Sequence, residues 1–400
     1  MRAEPLTAEF ALAAACCRAA GVPRDEAVRA AARGVDWRRF EQAAARHRIE
    51  GLAHAALAAA GVAPWPATAA ALRTAAGEIA RAGLENAAET ARLQDLFDRS
   101  GIANLVLKGA TLDILAWGRI GLKRSWDIDL LVDPADAGRA RAILEGDGYG
   151  LVTPADGTTD AFATWVALSK EAVLRHPGRS GVVELHWRLA DVATLLEGVS
   201  VSSRAQNVPL SPALSLRTLA DDELFAYLCV HGASHAWSRL KWLADLAALL
   251  ARRDGDERER LYRRAAELRA GRCPATALLL CERLLGVPLP DGCAAAIRAD
   301  RKAARLVGVA LHALTGGDGA EIAARPLAAE RILLSHFLFA DGWPFVLAEW
   351  RRQWISLDDR MRLKLPRRVA FLYGFVRAPR WVWRRLQAIR PYRAPPEAGT

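Results

Sequence analysis

The sequence predicts an α+β protein, a small mixed β-sheet flanked by N-terminal and C-terminal helical regions. Three observations carry this. Residues 7 to about 97 are Ala-rich, with apolar side chains at helical spacing. Short aliphatic runs bounded by Gly, Pro and Ser lie between about 100 and 190, and helical periodicity returns from Thr218.

In the first stretch Trp37, Phe40, Ala44 and Ile49 show the helical period, which Gly21-Val22-Pro23 and Pro64-Trp65-Pro66 break into four or five helices. After Ser100-Gly101, residues 102–107 read as a strand, 110–117 as a helix and 128–132 as a second strand. A helix follows over 134–145 with Pro134 at its start, where the missing N–H does no harm. Residues 149–153, 172–176 and 181–187 read as further strands, the last two joined as a hairpin through residues 177–180. Thr218, with Asp221 three residues on, has capping-box spacing and starts the helical remainder, which Gly316-Gly317-Asp318-Gly319 divides. Four regions result: 1–98 helical, 99–192 the α/β core, 193–315 helical and closing a cleft over the core, and 316–400 helical with a basic tail.

The 400 residues hold 55 Lys plus Arg against 45 Asp plus Glu, a formal charge of +10, which suggests an anionic partner. The excess is local. Residues 351–393 carry 13 basic groups and only Asp358 and Asp359 as acids, leaving 42 cations against 43 acids elsewhere. A globally basic nucleic-acid coat is thus excluded, and a basic tail is not. The hydrophobic share of 52% and charged share of 25% describe a globular protein and exclude disorder throughout. The six cysteines form no CxxC pair and read as buried thiols of a reducing cytoplasm. The apolar stretch at residues 10–17 is short and acid-flanked for a secretion signal, and no run approaches a membrane span of about 20 apolar residues. A cytoplasmic protein is expected, with peripheral membrane attachment through the tail left open.

The chemistry concentrates in the α/β core. Leu107-Lys108-Gly109-Ala110-Thr111 closes a strand and opens a helix, and Asp127-Ile128-Asp129 begins the next strand. Side chains two apart on a strand share a face, so Asp127 and Asp129 project together about 7 Å apart at their bases, while Ile128, Leu130 and Val132 face the core. Like charges so placed are costly unless a cation joins them. Glu184 adds a third acid on a strand where Glu184 and His186 face one way and Val183, Leu185 and Trp187 the other. Such an oxygen-rich cluster suits Mg²⁺.

A strand ending in a glycine turn, a helix, a DxD strand and a later strand with a third acid resembles the nucleotidyltransferase arrangement of the DNA polymerase β superfamily. More narrowly, LVLKGATLDILAW, DIDLLVDPADAGRARAILEGDGY, VVELHWRL and YLCVHGASHAWSRLKWLADLAALL resemble a bacterial family of uncharacterised nucleotidyltransferases, over roughly residues 35–250. The resemblance implies a nucleotidyltransferase core whose Asp127 and Asp129 are metal ligands for Mg²⁺ or Mn²⁺, with Glu184 the third ligand or the base. It implies that Gly109, Ala110 and Thr111 present backbone N–H groups to the phosphates of a nucleoside triphosphate. The superfamily usually has Gly-Ser or Gly-Gly there, and Thr111 is the candidate for the missing hydroxyl. Lys108, Lys123 and Arg124 flank the acids and are placed to neutralise triphosphate charge, although Lys108 reads equally as a strand-end charge. The implied acceptor is a peptide natural product, a small molecule or tRNA.

His231, His235, Ser238, Trp242 and Asp245 are spaced 4, 3, 4 and 3, one face of a helix. Gly232 stands where an HExxH protease has Glu, which disfavours zinc hydrolysis. His231, His235 and Asp245 are then a rival metal trio, a supporting face that closes the nucleotide cleft, or structure alone; His186 is either a partner of the acids or a satisfied sheet histidine. The tail over 351–393 alternates Arg with Trp, Phe and Tyr and suits an anionic membrane surface or nucleic acid, or a final helix docked on the core. Two rival classes accompany the transferase: a degenerate nucleotide-binding or scaffold protein, and an adaptor working through the tail.

Overall fold

Strand-forming residues are confined to the middle of the chain, and the computed structural model places the sheet there; it describes residues 6–19, 23–179, 181–316 and 328–354. Five helices come first: α1 (Ala8–Cys16), α2 (Arg24–Ala31), α3 (Trp37–His47), α4 (Glu50–Ala59) and α5 (Pro66–Arg99). Thr7 and Asp36 cap α1 and α3 through their side chains, and Pro66 occupies the first turn of α5, as proline prefers.

The sheet combines β1 (Asn104–Val106), β2 (Asp127–Val132), β3 (Gly150–Thr153), β4 (Glu171–Arg175) and β5 (Val182–His186) in the order β1-β2-β5-β4-β3. β2 and β5 run parallel and every other pairing is antiparallel. Between strands lie α6 (Ala110–Trp117), α7 (Ala137–Gly146) and α8 (Thr159–Leu168). One sheet face is apolar: Ile128, Leu130, Val132, Ala172, Leu174, Val183 and Leu185 pack with Ala87, Ala91 and Phe97 of α5, Ala140 and Leu144 of α7, and Phe162 and Trp165 of α8. The other face carries the acids and lies under the second core.

That second core joins α1–α4 and α6 to α9 (Asp221–Ser234), α10 (Leu240–Ala251), α11 (Gly255–Glu267), α12 (Cys273–Leu280), α13 (Asp291–Ala299) and α14 (Arg301–Leu314). α15 (Ala328–Ser335) and α16 (Trp343–Trp354) follow. All six cysteines are free and buried, and burial pushes the Cys16 thiol up to about 12. No helix among the described residues is long and apolar enough to cross a membrane.

Several expectations need correction. Thr218 is not a helix cap: it belongs to β7 (Leu214–Leu219), which pairs with β6 (Ala205–Ser211) in a separate hairpin. α9 starts at Asp221 after Ala220 and has no side-chain cap; Asp221, Asp222 and Glu223 in its first turn complement the helix dipole instead. α7 begins at Ala137, after a turn in which Asp133 accepts from the Ala135 N–H at 2.8 Å, so Pro134 precedes the helix. α8 and the β6–β7 hairpin went unread because both are short and mix apolar with polar residues without a clean period. Residues 317–319 of the Gly-rich divider, and the basic tail beyond 354, lie outside the described residues.

Candidate active site

The β2–β5 register brings the acids together. Asp129 pairs directly with Glu184, and Leu131 with His186, so Asp127, Asp129, Glu184 and His186 share one face. On the far side of β5, Glu171 of β4 pairs with His186 and adds an acid to that face.

Lys108 sits where the chain leaves β1. Its Nζ lies 2.9 Å from Asp129 Oδ1 and 3.8 Å from Asp127 Oδ2, joining the two carboxylates as a shared cation. Burial works against the ammonium charge, but Asp129 and Asp127 outweigh it and hold Lys108 well above its ordinary range. Asp129 is buried, and the Lys108 and His186 cations hold its carboxyl well below the usual range against the burial penalty. Asp127 is half-buried and accepts from Trp126 N–H at 3.1 Å and Ser125 Oγ at 3.2 Å. Burial and the neighbouring Asp129 charge push Glu184 the other way, above its usual range.

His186 ties the acids into one row. Its Nε2 lies 3.1 Å from Asp129 Oδ1 and 3.6 Å from Glu184 Oε2, and its Nδ1 lies 3.1 Å from Glu171 Oε2. The Glu171 contact is charge proximity only, since Nδ1 lacks an aligned hydrogen bond. Lys170 in turn pairs with Glu171. Burial opposes the imidazolium, yet the surrounding carboxylates raise the His186 pKa. Ligand atoms of Asp129, Glu184 and His186 lie within 4.8 Å of one another, a spacing that fits one cation, and the Lys108 ammonium shows that the carboxylates already attract positive charge.

The glycine turn has a conformation only glycine adopts readily. Gly109 has φ 70° and ψ −127°, reverses the chain and caps α6. Ala110 and Thr111 thereby form the first turn of α6, whose N–H groups have no intrahelical partners. The Thr111 hydroxyl is buried and donates to Lys108 O at 3.2 Å, so it holds the turn. Arg124 is tethered elsewhere: its Nη2 donates to Glu50 Oε1 at 3.0 Å, and its guanidinium lies 5.9 Å from the Trp126 ring. Lys123 is buried between Asp113 and Asp245, whose carboxylates already balance its charge, on the wall of the same cavity as Lys108 and Asp127.

His231 through Asp245 is not one helix. α9 ends at Ser234, Ala236 and Trp237 take positive φ values of 49° and 51°, and α10 starts at Leu240. Trp237 folds back beneath Gly232, where any Cβ would overlap its ring. The reversal still gathers the aromatics: the His231 and His235 rings lie 4.8 Å apart, and His235 stacks on Trp242 at 5.1 Å. Asp245 accepts from Trp117 Nε1 at 2.9 Å and pairs with Lys123, and among the described residues His231, His235 and Asp245 do not bring their ligand atoms together as a metal trio. Burial drives the His231 pKa well below the ordinary value, and its neutral, buried Nε2 has no hydrogen-bond partner among the described residues.

A cavity of about 30 Å³ lies between the acids and α9–α10, lined by Lys108, Gly109, Asp127, Asp129, His231 and Lys241 among others. Sequence reasoning missed Glu171, Tyr227 and Lys241. Tyr227 is buried on α9 one turn before His231, their rings 5.7 Å apart. The signal for Lys241 was present: α10 reads LKWLADLAALL, with Lys241 and Asp245 the only charges in an apolar helix.

Residues 33–286 match the model of a family described as "Uncharacterised nucleotidyltransferase". The match spans well over half of the chain and includes every residue of the site just described. No curated protein and no solved structure matches it. The chain belongs to this family and is a nucleotidyltransferase.

Proposed function

We propose that this member of the uncharacterised nucleotidyltransferase family moves a nucleoside monophosphate from a nucleoside triphosphate to an acceptor hydroxyl or phosphate of a peptide, small molecule or RNA. Asp127, Asp129 and Glu184 hold Mg²⁺ or Mn²⁺, with His186 behind them. The supporting observation is the facing pair Asp129 and Glu184 on parallel strands, with Asp127 two residues along and the first turn of α6 above them. When bound, the ion neutralises charge on the triphosphate oxygens.

The remaining work falls to the chain. Gly109, Ala110 and Thr111 direct the N–H groups and positive dipole end of α6 at the phosphates. Lys108 exchanges its carboxylate partners for phosphate oxygens as the substrate enters. Glu184, the one acid of the sheet row shifted upward, takes the acceptor proton as the new O–P bond forms and the bond from the α-phosphorus to pyrophosphate breaks. His186 keeps Asp129 oriented throughout. A cavity of about 30 Å³ has room for about two waters, far less than a triphosphate occupies. The experiment is transfer of label from an α-labelled triphosphate: Asp127→Asn and Asp129→Asn abolish it, and retained transfer in both rejects the site.

One observation favours a second property, attachment to an anionic membrane surface. Trp343, Leu347, Trp350 and Trp354 recur at spacings of 4, 3 and 4 on α16 and are 83%, 53%, 47% and 39% exposed. This outward apolar stripe runs directly into the basic segment, the composition of an interfacial anchor. The full chain then sediments with phosphatidylserine vesicles and a Trp343→Ala/Trp350→Ala variant does not; equal sedimentation of both removes this reading.

A further inference from the structure

Two lysines of this protein are buried to the same depth on the helical side of the cleft, and they differ in one respect. Lys123 is enclosed by two carboxylates, Asp113 and Asp245 Oδ2, the latter at 3.4 Å. Lys241, only 6% exposed on α10, has no carboxylate within ion-pair distance among the described residues. Its Nζ donates to one acceptor, the Arg124 carbonyl at 3.2 Å, and lies 6.0 Å from the Trp242 ring centre. An ammonium carries three donors, so two remain for another partner.

The consequence for charge follows. The two carboxylates around Lys123 raise its pKa against burial, whereas burial lowers Lys241 to about 8, with Asp127 as the opposing influence. A buried ammonium without a counter-ion is expensive, and replacing it by an apolar side chain of similar size is commonly neutral or stabilising. A group retained at such a cost is a candidate for work done on a ligand. The position supports this: Lys241 lines the same cavity as Lys108, Gly109, Asp127 and His231, and α10 packs on α6, the helix that Gly109 opens.

We infer that Lys241 is a phosphate-binding residue that grips the outer phosphates of the nucleoside triphosphate and the departing pyrophosphate from the helical side of the cleft, opposite the first turn of α6. The inference rests on the nucleotidyl-transfer reading and adds the missing counter-charge to it. Lys108 is satisfied by the acids before substrate arrives, whereas Lys241 gains its counter-ion only from the ligand. Lys241 is thus the residue through which α10 senses an occupied cleft.

Calorimetric titration of the full chain with magnesium pyrophosphate, and with ATP, GTP, CTP and UTP in Mg²⁺, tests this. The wild type binds pyrophosphate and at least one triphosphate. Lys241→Met and Lys241→Gln bind both at least tenfold more weakly, while binding of the corresponding nucleoside monophosphate changes less than threefold. Lys241→Arg restores most of the affinity. The ligand-free melting temperature of the Met variant is equal to or above that of the wild type, which separates lost binding from lost folding; Gln retains a donor for the Arg124 carbonyl and covers the case of a Met variant that packs poorly. Unchanged pyrophosphate affinity in both neutral variants, with the wild type binding, overturns the assignment of Lys241 alone. A wild type that binds none of the four triphosphates overturns the nucleotidyl-transfer reading and this inference together.

Discussion

Asp129→Asn and Glu184→Gln remove neighbouring charges from one site, yet the structure assigns them different effects on stability. Asp129 is buried and faces two cations, Lys108 Nζ at 2.9 Å and His186 Nε2 at 3.1 Å. Neutralising it leaves both buried without their main counter-charge, a change that costs about 3–5 kcal/mol when one partner of a buried pair is removed. Asparagine retains an oxygen for His186, so the lower end, about 3 kcal/mol, is expected. Glu184 is half-buried, and burial together with Asp129 already raises its pKa; its charge adds little to folding, and Glu184→Gln changes stability by about 1 kcal/mol or less. The pH dependence has a definite sign. The Asp129 carboxyl is depressed, so its contribution is complete above the ordinary carboxylate range and disappears as pH falls through the lowered value. His186 is raised, so its contribution is complete below its unfolded value and fades as pH rises through the folded one. The gap between wild type and Asp129→Asn is therefore widest between about pH 5 and 7 and narrows on either side. Urea unfolding followed by tryptophan fluorescence at pH 4, 6 and 9 measures it. Equal stability of the Asn variant and wild type at pH 6, or a larger loss in Glu184→Gln, would refute this account of the site's electrostatics.

Two glycines provide further tests. Gly109→Ala has room for its methyl group, the nearest atom being Asp127 O at 4.0 Å, but must adopt φ 70°. It is expected to lose about 1–3 kcal/mol of stability or to flip the turn, and either outcome weakens triphosphate binding measured by calorimetry. Gly232→Ala drives a methyl into the buried Trp237 ring and forces the α9–α10 reversal apart. A loss of about 1–3 kcal/mol is expected from overpacking, with a change in Trp237 fluorescence; an unshifted melting curve contradicts the packing described.

The sequence made the acidic face of the sheet legible because alternation in a strand is strict. Asp127 and Asp129 had to share a side once 128–132 was a strand, and Glu184 and His186 had to share one in a segment whose other members are apolar. The β4–β5 hairpin was legible, but not its register, which sets Glu171 opposite His186, nor that β5 adjoins β2, which places Asp129 opposite Glu184. The reading of residues 231–245 as one helix failed for an equally specific reason. The spacing was helical, but the bare surface of Gly232 admits the Trp237 ring, and that packing turns the chain. Arg124 and Lys123 showed their charge and not their partners, because Glu50 and Asp245 approach from distant segments and Asp113 is brought to Lys123 only by the turn after α6. The +10 balance pointed to the tail, whereas the cations lining the cavity are single lysines, Lys108, Lys123 and Lys241, which no net count reveals.

The central claim is that the row of acids on β2 and β5 serves nucleotidyl transfer. Incubating the chain with each α-labelled nucleoside triphosphate, Mg²⁺ or Mn²⁺ and a host lysate, with γ-labelled triphosphate as control, measures it most directly. Covalent label on an acceptor from the α position only, abolished by chelator and by Asp127→Asn or Asp129→Asn, is the predicted result. Triphosphate binding without label transfer under any of these conditions, or transfer undiminished in both variants, would contradict it.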